Sequence, residues 1–165
     1  MDFRFTEEQE MVRESAKKFG KRWAPRMDEM HRLAVEDGVL DRSFFVELAE
    51  AGFAGALIPE EFGGTGMGLT PLAIAMETMA VEGVGSALVM LTQMNALCIL
   101  RAGPDELRQK YLPPVASGEL VMAFAITEPD AGSNSFRMAT VAERRGNDIV
   151  LNGTKTFITG VDVAD

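Results

Sequence analysis

The stretch LVMAFAITEPDAGSNS, Leu120–Ser135, separates two kinds of sequence. Ahead of it, apolar residues recur at helical spacing. Behind it come short β-rich runs broken by Gly146-Asn147 and Asn152-Gly153. Leu120–Thr127 is short and almost wholly apolar, which predicts a buried strand. The strand then runs into Glu-Pro-Asp-Ala-Gly-Ser-Asn-Ser, which carries more polar groups than a simple bend requires. The Thr127 hydroxyl can donate and accept, and Gly132-Ser133 offers amides that a ligand can approach closely because Gly132 has no side chain. Glu128, beside a proline and a polar loop, reads as a structural hydrogen-bond acceptor. From composition alone the stretch is a turn, with a ligand loop as the alternative.

Upstream, Thr6 and Gln9 form a capping box, and Val12, Ala16, Phe19 and Trp23 make one apolar stripe of a helix ending near Pro25. A second helix is predicted from Asp41 to Gly52, burying Phe44, Phe45 and Leu48. Thr70-Pro71 reads as the N-cap and first residue of a helix through Ala80. Ser86–Leu100 is apolar apart from Thr92, Gln93 and Asn95, too short and interrupted to cross a membrane. It therefore reads as a helix enclosed by others. Leu107, Tyr111 and Leu112 predict a short helix before Pro113-Pro114. Downstream, Thr140–Arg144, Ile149–Leu151 and Thr154–Thr159 read as strands, with Asn152-Gly153 the stronger hairpin signal. The expected organisation is α+β. An all-α domain over residues 1–118 precedes the start of an antiparallel β domain over 119–165, which reads as truncated.

A net charge of −9 argues against nucleic acid or an anionic membrane as the main partner. The single cysteine, Cys98, excludes an intrachain disulfide, and its apolar helical setting predicts a buried thiol. No basic stretch followed by an apolar run opens the chain, so the expectation is a cytoplasmic protein. His31, the only histidine, lies in a polar helical stretch with Glu29, Met30 and Arg32 and reads as part of a surface helix. No cluster has metal-ligand spacing. Gly64-Thr65-Gly66-Met67-Gly68 lacks the spacing of a dinucleotide loop and reads as a tight turn. Met90, Leu91 and Met94 share a helix face that reads either as adaptable core or as the wall of an apolar tunnel.

The stretch Ala-Ile-Thr-Glu-Pro-Asp-Ala-Gly-Ser-Asn resembles the TEPxAGSD signature of the acyl-CoA dehydrogenase family. FRFTEEQEMVRE resembles the family's N-terminal helix and LIPEEFGGTGMG its PEE[YF]GG loop. RAGPDELRQKYLPPVASGE is similar to the segment entering the signature, and LNGTKTFITG to the hairpin after it. These blocks stand in the family's order along essentially the whole chain.

The resemblance implies an N-terminal helical domain, a middle β domain and a C-terminal helical domain, assembled as tetramers or dimers. It implies FAD as cofactor, an acyl-CoA as substrate, and an electron-transfer flavoprotein as electron acceptor. Phe124, Ile126 and Thr127 would face the flavin, with Phe157, Ile158 and Thr159 contacting the ring from the next strand. Gly132 and Ser133 would contact the cofactor diphosphate or the acyl-CoA, and Met90, Leu91 and Met94 would border the acyl chain. The implied reaction is α,β-dehydrogenation, with a glutamate base supplied by the C-terminal domain and so lying outside this chain. The 165 residues alone are then expected to be catalytically silent. Phe157 stands where Trp is frequent, Asn134 where Asp is usual, and Gly160 where Asn is common. An oxidase-type relative and a non-catalytic acyl-CoA-binding or assembly module are the alternatives.

Overall fold

In a computed structural model describing residues 4–165, six helices precede one β-hairpin. The opening residues of the N-terminal block, Met1–Phe3, lie outside the described residues. Helix α1, Glu7–Trp23, starts on the expected capping box. The Thr6 hydroxyl accepts the Gln9 amide at 3.2 Å, and the Gln9 side chain accepts the Thr6 amide at 3.0 Å. A 3₁₀ turn at Ala24–Arg26 links α1 to α2, Met27–Glu36. Helix α3, Arg42–Glu50, is capped by Asp41, which accepts the Ser43 amide at 3.0 Å.

These helices meet in an aromatic cluster. Phe44 packs edge-to-face with Trp23 at 5.0 Å and Phe45 at 5.2 Å, and obliquely against Phe19 at 5.7 Å. Each ring buried there contributes about 1.5–3 kcal/mol. The indole N–H is not lost to the core, because it donates to Glu47 at 3.0 Å.

Helix α4, Leu69–Val81, packs along α1. It begins on Gly68 rather than on Thr70, so Pro71 is its third residue, where a missing N–H leaves no helix bond broken. Helix α5, Ala87–Ala102, lies along α6, Asp105–Ala116. The sequence stops α6 before Pro113, but the helix continues through both prolines. Proline is missing only a donor, and its carbonyl still accepts. Ser117 accordingly donates to the Pro113 carbonyl at 3.0 Å, and Leu112, Val115 and Ala116 are buried.

Gly118 turns the chain out of α6 at φ +77°, where a Cβ would lie 2.2 Å from the Phe45 carbonyl oxygen. Only glycine fits this close, left-handed turn.

The β part departs further from expectation. Strands β1, Val141–Arg145, and β2, Asp148–Asn152, pair antiparallel, with Ala142 opposite Leu151 and Arg144 opposite Ile149. The hairpin turn is Gly146-Asn147, not Asn152-Gly153. Leu120–Thr127 and Thr154–Thr159 run without a strand ladder. A strand exists only where a second backbone runs alongside it. Among the described residues, backbone partners reach Val121–Thr127 only singly, the Asp165 amide at the Val121 carbonyl and the Thr156 amide at the Thr127 carbonyl. Side chains make most of the other bonds. The Thr92 hydroxyl accepts the Met122 amide at 3.0 Å and donates to the Met122 carbonyl at 3.3 Å. The Asn95 amide group donates to the Ala123 carbonyl at 3.1 Å. Asp165 closes the other side of the segment, accepting the Val121 amide at 2.9 Å while pairing with Arg42 at 2.6 Å. The Arg42 guanidinium and the Val121 amide outweigh the opposing effect of partial burial, so the Asp165 carboxyl lies below its ordinary range.

Candidate functional site

The Glu128-Pro129-Asp130-Ala131 turn is closed by reciprocal bonds, with the Glu128 amide donating to Ala131 at 3.0 Å and the Ala131 amide returning at 3.1 Å. The Glu128 side chain points inward and is buried. Its carboxylate accepts the Lys155 ammonium at 2.8 Å, the Thr140 hydroxyl, and the amides of Ala139 at 2.5 Å and Thr140 at 3.1 Å. Foremost the Lys155 ammonium, then the Thr140 hydroxyl and the Ala139 amide, pull the carboxyl down to about 2. The acceptor role read from the sequence is thus what the structure shows.

Lys155 also donates to the Ile126 carbonyl at 3.1 Å, and the Thr156 amide donates to the Thr127 carbonyl at 2.9 Å. These bonds tie the end of the first predicted flavin-side segment, at Ile126 and Thr127, to Lys155 and Thr156, the two residues just ahead of Phe157. Sequence reasoning passed over Lys155. The available signal was that it is the only Lys or Arg after Arg145.

The surface this knot supports is open. Among the described residues, the amides of Phe124, Ala125, Ile126 and Thr127 donate to no acceptor. Phe157 is the only non-glycine residue described at positive φ, +57°, and its ring is 94% exposed. A bulky residue held in that region carries backbone strain, and such strain clusters at functional sites. Ile126 is partly exposed, Ile158 half-buried and Thr159 exposed. The Thr156 hydroxyl is buried with no hydrogen-bond partner. Gly132 and Ser133 are exposed on the loop, and a Cβ on Gly132 would meet no atom within 4 Å.

Met90 and Met94 stand on the outer stripe of α5, 47% and 37% exposed, whereas Leu91 turns inward against the aromatic core. Met94 and Phe124 share an apolar groove of about 540 Å³ with Leu97, Cys98, Arg101 and Ala102. Cys98 is therefore exposed rather than buried, because the helical turn places it on the same stripe as Met94.

Thr159 borders a different groove, of about 380 Å³, between α2 and the start of α5. His31 lies exposed along it, as a surface position should. Gly160 follows at φ +71°, with an ideal Cβ only 2.5 Å from a Leu88 methyl, so any side chain there would displace Leu88. Among the described residues there is no cluster that could hold a metal ion, and no helix long and apolar enough to cross a membrane.

Comparison with known proteins gives this geometry a context. The family model for the acyl-CoA dehydrogenase N-terminal domain matches residues 6–119, and that for the middle domain matches residues 123–165. Acyl-CoA dehydrogenase FadE12 of Mycobacterium tuberculosis is 44% identical over 121 residues, covering 73% of this chain and 31% of the relative. A 3-(aryl)acrylate reductase of Clostridium sporogenes is 36% identical over 165 residues, covering 98% of this chain and 42% of the relative. The crystal structure of a Mycobacterium smegmatis glutaryl-CoA dehydrogenase in complex with FADH2 superposes with a TM-score of 0.84 at 27% identity, over 98% of this chain and 41% of that one. The chain thus spans less than half the length of these relatives. With both domain models matched in order, the chain comprises N-terminal and middle-domain sequence and belongs to the acyl-CoA dehydrogenase family.

Proposed function

We propose that this chain supplies the flavin-facing edge and part of the acyl pocket of an FAD-dependent enzyme that dehydrogenates an acyl-CoA between its α and β carbons. The observation that carries the reading is Phe157, exposed and held at positive φ one residue beyond the Thr156–Thr127 bond, together with the unpaired amides of Phe124–Thr127. A flat apolar ring system edged with heteroatoms fits that combination, taking an aromatic contact on its face and amide donors on its rim. Phe124, Ile126, Thr127, Phe157, Ile158 and Thr159 would hold the ring, and Gly132-Ser133 would receive an anionic portion of cofactor or substrate. When bound, FAD supplies the two-electron acceptor.

The protein's own share is positioning. Met94 offers the acyl chain an adaptable apolar wall continuous with Phe124, and Met90 lies one turn earlier on the same exposed stripe of α5. Glu128 is no candidate for the base, since four donors occupy its oxygens and its carboxyl is held near 2. The proton-abstracting carboxylate is accordingly assigned outside these residues. Electrons would leave to an electron-transfer flavoprotein, and the protein would assemble as a dimer or tetramer.

The test is anaerobic titration of the intact, FAD-loaded enzyme that contains this chain with a panel of acyl-CoA thioesters. Bleaching of the flavin band by at least one member is expected, followed by slow recovery in air. No bleaching by any member overturns the reading, and rapid recovery in air assigns an oxidase instead.

A further inference from the structure

Helix α5 has a second working face. Its outer stripe carries Met90 and Met94, while the side turned toward Leu120–Thr127 carries Thr92 and Asn95. Thr92 is buried, and its hydroxyl bonds both the N–H and the C=O of Met122. This is the pair of bonds that a neighbouring strand residue would supply. Asn95 adds the Ala123 carbonyl while donating to the Leu91 carbonyl of its own helix at 3.0 Å. The bonded residues are the last two before Phe124. Beyond them, backbone bonding resumes only where Ile126 meets Lys155 and Thr127 meets Thr156.

From this juxtaposition we infer that Thr92 and Asn95 are positioning residues. Through their bonds to Met122 and Ala123 they set the height and register of Phe124–Thr127 against the Met90/Met94 stripe. The helix that lines the acyl pocket is thereby the element that aims the cofactor edge, and a shift of α5 moves both together. A buried hydroxyl or amide on an otherwise apolar helix needs partners, and both partners here belong to the segment leading into the site. The inference rests on the flavin reading for its functional consequence, but not for the bonds themselves.

The experiment compares Thr92→Val, Thr92→Ser and Asn95→Leu with a control, Thr78→Val. Thr78 is bonded only within α4, to the Ile74 carbonyl at 2.7 Å. Three quantities are read on the intact, FAD-loaded enzyme that contains this chain: the FAD dissociation constant by dialysis, the position of the flavin absorption band, and exchange of the Thr156 amide. That amide reports where the Thr127 carbonyl stands.

Thr92→Val and Asn95→Leu should each weaken FAD about ten-fold, shift the band and speed Thr156 exchange. Thr92→Ser should restore all three, and Thr78→Val should move none. If Thr92→Val and Asn95→Leu lower the melting temperature but leave FAD affinity, band and Thr156 exchange at control values, the inference is overturned. If the unsubstituted protein binds no FAD, the flavin reading itself has failed. Thr156 exchange in the cofactor-free protein then decides the positioning role, faster exchange in Thr92→Val than in Thr78→Val supporting it and equal rates overturning it.

Discussion

Glu128 and Lys155 meet at 2.8 Å, with the carboxylate buried, the ammonium partly exposed, and 26 residues of loop and hairpin between them. The pair ties the signature turn to the segment carrying Phe157. Removing one member of such a pair leaves a charge without its partner, the costly way to break it.

Its pH signature follows from the sign of the shift. The folded carboxyl lies near 2, below its ordinary 4.5, so its stabilising effect is complete above about pH 4.5 and is lost as pH falls toward 2. Glu128→Gln should be less stable than the parent at pH 7. The gap, measured from urea midpoints, should narrow between pH 4.5 and 2 and close at the lower end.

Phe157→Gly removes a ring that packs against almost nothing and relieves backbone held at +57°. Relief of about 1–2 kcal/mol is set against about 0.5–1 kcal/mol of added unfolded-state freedom. The cofactor-free protein should therefore be unchanged or up to about 1.5 kcal/mol more stable by thermal unfolding. FAD affinity should fall about ten-fold with the loss of the aromatic contact.

Gly118 and Gly132 differ in what surrounds them. At Gly118 a Cβ would strike the Phe45 carbonyl, which belongs to the rigid backbone of α3, and φ is positive. Gly118→Ala should cost roughly 3 kcal/mol or more in denaturant unfolding, the sum of left-handed strain and overpacking. Gly132→Ala, with open space around it, should stay within about 0.5 kcal/mol of the parent.

Met94→Trp should fill the groove shared with Phe124. Steady-state kinetics of the intact enzyme that contains this chain, across acyl-CoA lengths, should show kcat/KM for long chains falling about ten-fold or more relative to short chains. An unchanged length profile would remove Met94 from the acyl pocket.

The helical part was legible because its cues are local. Thr6 with Gln9, Asp41 with Ser43, and the Val12, Ala16, Phe19, Trp23 stripe each act within a few residues. The boundary errors were local as well. Thr70-Pro71 resembles a helix start but follows the true cap at Gly68, and Pro113-Pro114 resembles a stop but sits in a last turn anchored by buried Val115. The site was legible only as chemistry. Thr127, Gly132 and Phe157 could be named, but Phe157's left-handed backbone and Lys155's reach to Glu128 could not.

By itself, then, the sequence determined which segments are helical, that the chain turns from α to β near Gly118, and which family pattern it carries. Tertiary structure decided what Leu120–Thr127 becomes. Apolar β-branched composition makes a segment willing to extend, but a ladder needs a second backbone alongside it. Thr92, Asn95 and Asp165 occupy that place with side-chain bonds, made across sequence separations of 28 to 44 residues. No local pattern encodes such bonds, because each depends on where two distant elements come to rest.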